Sequence, residues 1–470
     1  MPSPTSPAEA LAGLWRLLGQ PGQALERAAL TGAEPVLPSS FAVGTAAQAS
    51  IAAAALAAAE LWRLRTQTVQ QVSVDMRHAA AEFRSERYLR VDGQPAPELW
   101  DKIAGAYRCG DGGWVRLHTN FPHHRDGVLA ILGCAYERDS VAKALLHWTA
   151  ADFEQRAAEA NLVVAAMRSF ADWDAHPQGR AIAALPLLSL EKIGDAPPRP
   201  LPPGRRPLSG VRVLELTRII AGPVAGRTLA AHGAEVLLVN APHLPAMAPL
   251  AIDTGRGKRA AHLDLRAAAD KARFAELLRG ADVLLQSYRP GGIADLGFGP
   301  EQAAAIRPGI VYVSLSAYGH DGPWAGRRGF DSLVQTASGL NVAEAEAAGI
   351  DGPKPLPAQA LDHASGYLLA YGAMAALARQ AQEGGSWHVR VSLAQTGHWL
   401  RGLGRIDGGL ACPDPDLEDV RDLLEDSPSG FGRLTAMRHA GLLSDTPPRW
   451  DLPSVPLGTH AAQWAGQGRQ

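Results

Sequence analysis

The run Thr254-Gly255-Arg256-Gly257-Lys258-Arg259 sets cations between glycines, the composition of a turn that can hold a phosphate against backbone amides and basic side chains. No Ser or Thr follows Lys258, so the hydroxyl that would hold Mg²⁺ in a nucleotide-binding loop is missing; the run is a candidate for binding phosphate without a metal. Asp362, in Gln-Ala-Leu-Asp-His-Ala-Ser-Gly, opens an Ala-rich helical stretch, and Ala364, Ser365 and Gly366 place backbone N–H donors in its first turn. On residue type alone, an Asp at such a position most often only caps the helix. His363 points to a different helix face and reads as a packing residue, whereas His320, in Ala-Tyr-Gly-His-Asp-Gly-Pro, reads as an exposed turn residue. Cys109, Cys134 and Cys412 show no C-x-x-C spacing, which supports neither a disulfide framework nor a cysteine zinc site and fits a reducing, cytoplasmic setting. The sequence has no G-x-x-x-x-G-K-[ST], G-x-S-x-G or H-E-x-x-H, which removes the main support for an NTPase, a serine hydrolase or a zinc protease.

The elements that position these residues follow from pattern. In 470 residues, Lys+Arg 45 against Asp+Glu 47 leaves a net charge of −2, which offers no basic field for nucleic acid or anionic lipid. Length predicts about two to four domains. Ser6, Pro7 and Glu9 form a capping-box signature ahead of Leu11, Leu14, Trp15 and Leu18 at helical spacing, and the N-terminal run lacks the features of a secretory signal. Phe41 to Ala59 carries no charge, yet it is mostly Ala with Gln48, Thr45 and Ser50, and reads as a buried helix rather than a membrane span. The proline-rich run 196–207 is a linker. Beyond it, apolar strands at 211–216, 234–239, 281–287, 310–316 and 388–393 alternate with helices, predicting a doubly wound α/β domain with a parallel sheet and a crevice at the carboxyl ends of its strands. Before the linker, Gly112 to His118 reads as a strand and the segments to Phe170 as helices, giving a small α+β domain over 96–195.

Leu37 to Val43 (LPSSFAV) and Leu356 to Asp362 (LPAQALD) each lead into an Ala-rich helix and then a Val-Ser-Val or Val-Ser-Leu strand, an internal repeat at an offset of 319. At that offset Val43 stands where Asp362 stands, so one copy alone keeps the carboxylate.

The succession PLSGVRVLELTRIIAGPVAGRTLAAHGAEVLLV, GRGKRAAHLDLR, ADVLLQSYRPGGIADLGFG and RPGIVYVSLSAYGHDGPWAGRRGFDSL resembles the core of the family III CoA-transferases, the CaiB/BaiF superfamily. DGGWVRLH and WDAHPQGRAIAALPL are similar to that family's small domain, and the ending from Arg438 to Trp464 is similar to its C-terminal return segment. The order departs from the family, in which the core comes first. The resemblance therefore implies a partial end-of-core copy over 1–95, the small domain over 96–195, the core over 208–405 and the return segment over 406–470.

The resemblance implies a nucleophilic aspartate at Asp362, transferring CoA between an acyl-CoA and a carboxylic acid through a mixed anhydride and an aspartyl-CoA thioester. It implies coenzyme A as substrate rather than a tightly bound cofactor, no metal, and an interlocked homodimer. CoA phosphates would call on Arg218, Arg256, Lys258, Arg289 and Arg328, with Ala221 and Gly222 allowing close approach to backbone. Asn240 and Leu238 replace the acidic and Lys residues frequent in the family. The racemases of the superfamily use a His where this chain has Phe330, which removes a proton-transfer group; an acyl-CoA racemase or isomerase and a non-catalytic CoA-binding paralogue are the alternatives.

Overall fold

The computed structural model describes residues 4–466. Helix α1 (Pro7–Leu17) begins with the expected capping box: Ser6 Oγ accepts from the Glu9 amide, and the Glu9 carboxylate accepts from the Ser6 amide at 2.9 Å. Leu11, Leu14 and Trp15 turn inward, as their spacing demands. Strand β1 (Ala28–Thr31) pairs in parallel with β2 (Val72–Asp75). Between them in sequence runs α2 (Val43–Thr66), whose residues Val43 to Leu61 are all buried. An Ala-rich helix of small side chains has no single wet face, so it can be enclosed on every side, and this apolar span lies inside the protein.

A small antiparallel sheet follows, β3 (Gly105–Arg108), β4 (Trp114–Leu117) and β5 (Val164–Ala166), over its own core around Val115, Leu117 and Phe153. Strand β5 lies in a stretch that reads as helix from sequence. Val164 to Ala166 are buried on both faces and pair with β4, and that tertiary pairing overrides the local pattern. No helix or strand forms over 196–207.

The large sheet holds β6 (Leu188–Gly194), β7 (Arg212–Leu216), β8 (Glu235–Asn240), β9 (Lys258–His262), β10 (Val283–Gln286), β11 (Val311–Ser316) and β12 (Ser386–Ser392). Their spatial order is β9-β8-β7-β10-β11-β12-β6, with all neighbours parallel except the edge strand β6, which comes from before the linker. Strand β9 contains Lys258, so the glycine-rich run ends in a strand rather than an open loop. From β7 the chain winds outward through β8 and β9, then returns to β10 on the other side of β7. A crevice therefore opens at the carboxyl ends of β7 and β10.

Helices α3 (Ala221–Ala231), α5 (Ala360–Glu383) and α6 (Leu393–Gly402) cover the sheet, α4 (Asp331–Ala337) packs on β4 and β5 of the small sheet, and α5 packs along both α2 and α3. The approach of α5 to α3 needs Gly366, where a Cβ would come within 2.7 Å of the Ala221 carbonyl oxygen. Helices α2 and α5 have equal length, and the step from Val43 to Ala360 is 317 residues, the same as from Asp75 to Ser392, the caps of the helices that follow β2 and β12. This step is two residues shorter than the offset of 319 between the sequence motifs, and at it Asp362 falls on Thr45. The Thr45 amide donates to Glu34 Oε1 at 2.7 Å.

Candidate functional site

Asp362 is the third residue of α5, and its backbone amide donates to Asp331 Oδ2 at 2.9 Å. Asp331 opens α4, is 0 % exposed, and also accepts from Gln335 Nε2. Two carboxyl groups therefore meet at one helix start. Burial, and then the neighbouring Asp331 and Glu86 charges, push the Asp362 carboxyl well above the usual range. Burial raises Asp331 to about 6, partly offset by the amides and Gln335 that donate to it. Asp362 is still 6 % exposed, which is enough to reach the two clefts it borders.

The first cleft, about 370 Å³, lies at the switch point of the sheet and is lined by Arg218, Ala221, Ser287, Arg289 and Arg328 from the core. Phe121, His123 and His124 close it from the small domain of the same chain. Among the described residues, Arg218, Arg289 and Arg328 have no carboxylate partner within salt-bridge distance. Burial, and then Arg289, lower the Arg328 pKa, so these cations crowd one another at a mouth that an anion would relieve. Arg218 also stacks over Phe121, 4.9 Å from the ring centre, and donates to the Pro245 carbonyl.

The second cleft, about 440 Å³, is lined by Glu86, Arg87, Trp100, His118, Asp331 and Ser332 among others. Ile219, Phe330 and Asp362 belong to both clefts. Ile219 has φ +75°, a conformation that costs a β-branched residue about 1–3 kcal/mol and is retained where the surroundings impose it. Its place between the clefts, where Asp362 also lies, is the kind of position where such strain concentrates.

Of the phosphate candidates, Arg218, Arg289 and Arg328 come together with Ala221 and Asp362, but Arg256 and Lys258 do not. Lys258 is 1 % exposed and donates to Glu215 Oε1 and the Pro223 carbonyl, each at 2.8 Å. Arg256 is equally enclosed, donating to Asp253 Oδ1 and the Met437 carbonyl. Both neutralise buried acids and have nothing left for a ligand. Gly222 does not line the cleft; it allows close packing, since a Cβ there would sit 2.6 Å from Thr217. Asn240 is buried with its Oδ1 unpartnered, and Leu238 is buried in the sheet. His363 packs on Phe83 with Nε2 3.2 Å from Glu86, while His320 is exposed, both as expected. Among the described residues, no group of His, Cys, Asp and Glu is placed to hold a metal.

Sequence reasoning missed Asp331, Glu86, His118, His123 and His124. Asp331 directly follows Phe330 and could have been found as a second acid beside the motif; the small-domain residues carry no local signal.

Residues 208–404 match the family model for CoA-transferase family III. The chain is 31 % identical over 378 residues to an acyl-CoA transferase of Gibberella moniliformis, covering 71 % of this chain and 66 % of that protein. It is 33 % identical over 202 residues to the succinyl-CoA:glutarate CoA-transferase of Mus musculus, covering 40 % and 45 %. A crystal structure of a Mycobacterium tuberculosis protein is 35 % identical and covers 42 % of this chain and 57 % of that one, with a TM-score of 0.39. The chain spans 66 % or less of the length of the curated relatives it matches most extensively. An α/β core with its crevice at the switch point and this family match define the class: the segment 208–404 is a family III CoA-transferase core.

Proposed function

We propose that the protein moves CoA from an acyl-CoA to a free carboxylic acid, with Asp362 as the covalent carrier. The observation that carries this reading is the position of Asp362, which is buried at a helix start and shared by two clefts. The first cleft, with its unpaired arginines, takes the CoA, and the second takes the acyl portion. The Asp362 carboxylate adds to the thioester carbonyl carbon, the C–S bond breaks and CoA leaves as thiolate. The resulting mixed anhydride is then attacked by that thiolate at the Asp362 carbonyl, which releases the donor acid as its carboxylate and leaves an aspartyl-CoA thioester. An incoming acid repeats the sequence in reverse and departs as the new acyl-CoA. Burial serves this chemistry twice, by raising the basicity of the carboxylate and by keeping water from the activated acyl groups.

Relatives named for transfer to glutarate and oxalate support a carboxylic acid as acceptor. A homodimer and a cytoplasmic setting remain part of this proposal, with no bound cofactor required beyond the CoA substrate. The racemase alternative has less support, because Phe330 carries no titratable proton and the imidazole stacked on it, His118, is held at a pKa of about 3, too low for a base at neutral pH.

Incubation with acyl-CoA and hydroxylamine, followed by mass analysis of peptides, tests the reading. A hydroxamate at Asp362 is expected, and Asp362→Asn lowers CoA transfer on the order of 10³-fold or more while still binding CoA. Unlabelled Asp362 at saturating donor, or full turnover by the Asn variant, overturns it.

A further inference from the structure

His118 follows directly on β4 in the small domain and is 5 % exposed. Its ring lies face to face on Phe330, with centroids 3.9 Å apart and planes 13° apart, and Trp100 meets it edge-on at 5.8 Å. Phe330 in turn precedes Asp331, the residue that accepts the Asp362 amide. His118 and Asp362 therefore line the same second cleft from opposite parts of the chain.

The polar atoms of this imidazole are unusually idle. Nδ1 is sealed from solvent without a hydrogen-bond partner, and Nε2 has no protein partner either among the described residues but escapes that sealing at the cleft wall. A neutral imidazole carries one proton on either nitrogen; with Nδ1 sealed, Nε2 is the atom that can meet a ligand, and in the Nε2–H tautomer it does so as a donor. Burial, then His124 and Arg116, hold the ring neutral across the working pH range. A neutral N–H in an aromatic box has no structural duty here: packing on Phe330 would be served as well by a phenyl ring.

We propose that His118 is a catalytic residue whose Nε2–H donates a hydrogen bond to the carbonyl oxygen of the acyl group undergoing transfer. The assignment rests on the transferase reading given above. As the Asp362 oxygen adds to the acyl carbon, the C=O electron pair moves onto that oxygen, and the pair returns when the C–S bond breaks. His118 keeps its proton throughout and acts as a fixed donor to the developing oxyanion, which a preorganised group in a water-poor cleft does effectively. It differs from the His of a racemase in both its place and its task, since it comes from the small domain and exchanges no proton with carbon.

The test is single-turnover acylation of Asp362, read as hydroxamate formation, in native protein and in His118→Phe and His118→Gln. The Phe variant keeps the aromatic stack and removes the donor; its acylation rate and kcat fall about 10²- to 10³-fold, with KM for the acyl-CoA within threefold. The Gln variant restores an N–H and recovers at least tenfold of that loss. His118→Phe acylating within threefold of native overturns the assignment. Equal losses in both variants, with CoA affinity and melting temperature lowered in parallel, assign His118 to packing instead and also overturn it. Native protein that forms no Asp362 hydroxamate defeats the transferase reading itself, an outcome separate from the others.

Discussion

The backbone N–H of Asp362 donates to the side-chain carboxylate of Asp331 at 2.9 Å, which brings two carboxylic acids to the same helix start. Like charges this close cannot both ionise at the pH of free carboxylates, and burial of both raises the pH at which either does.

The sign of the pH dependence follows. The nucleophile must be ionised, so acylation rises with pH through the raised pKa of the pair and is lost on acidification at a pH above the ordinary carboxylate range. Asp331→Asn keeps an oxygen for the Asp362 amide and removes the like charge. Its acid limb moves to lower pH, by about one unit or more. Rate profiles of hydroxamate formation from pH 4 to 9 check this; an unmoved limb would show that Asp331 does not set the ionisation of Asp362.

The three arginines of the first cleft have distinct partners in the ligand only if the ligand carries phosphates. Arg289→Ala and Arg328→Ala each raise KM for an acyl-CoA about 5- to 20-fold, as expected for losing a charge-assisted hydrogen bond near solvent. With the matching acyl-pantetheine, which lacks the phosphates, the same substitutions leave KM within twofold. Comparable losses on both substrates would place these residues elsewhere in the reaction.

Lys258 gives the opposite pattern. It is the counter-charge of Glu215, whose carboxyl is fully buried between the sheet and α3. Lys258→Met leaves that acid unpaired and costs about 3–5 kcal/mol of stability. CoA affinity of the folded fraction is unchanged. Denaturant unfolding alongside calorimetric titration with CoA separates the two effects.

Local features were legible in the sequence because their partners lie within a few residues. Ser6 and Glu9 cap α1 by direct reach, and the strands β7, β8, β10, β11 and β12 declare themselves by short segments rich in Val and Leu. The role of Lys258 was not legible, since a glycine-rich run looks the same whether its cation meets a ligand or an acid from a strand more than forty residues away. Asp362 could be singled out only through the family resemblance. His118, His123 and His124 escaped notice because they reach the site by packing one domain on another, and no spacing within the chain encodes that approach. The offset of 319 between the sequence motifs and the step of 317 between the helix starts differ, since Leu-Pro matches Leu-Pro in the loops while the helices themselves begin elsewhere.

Helix α2, equal in length to α5, offers a comparison for this arrangement. At its third residue Thr45 gives its amide to the carboxylate of Glu34, just as Asp362 does to Asp331, yet a hydroxyl stands where α5 carries a carboxyl. An acidic clasp on the amide is present there with no adjoining carboxyl to tune, so the clasp by itself answers to architecture. Anyone sorting working from silent members among proteins of this shape should therefore judge the occupant of the clasped position and give the clasp itself no vote.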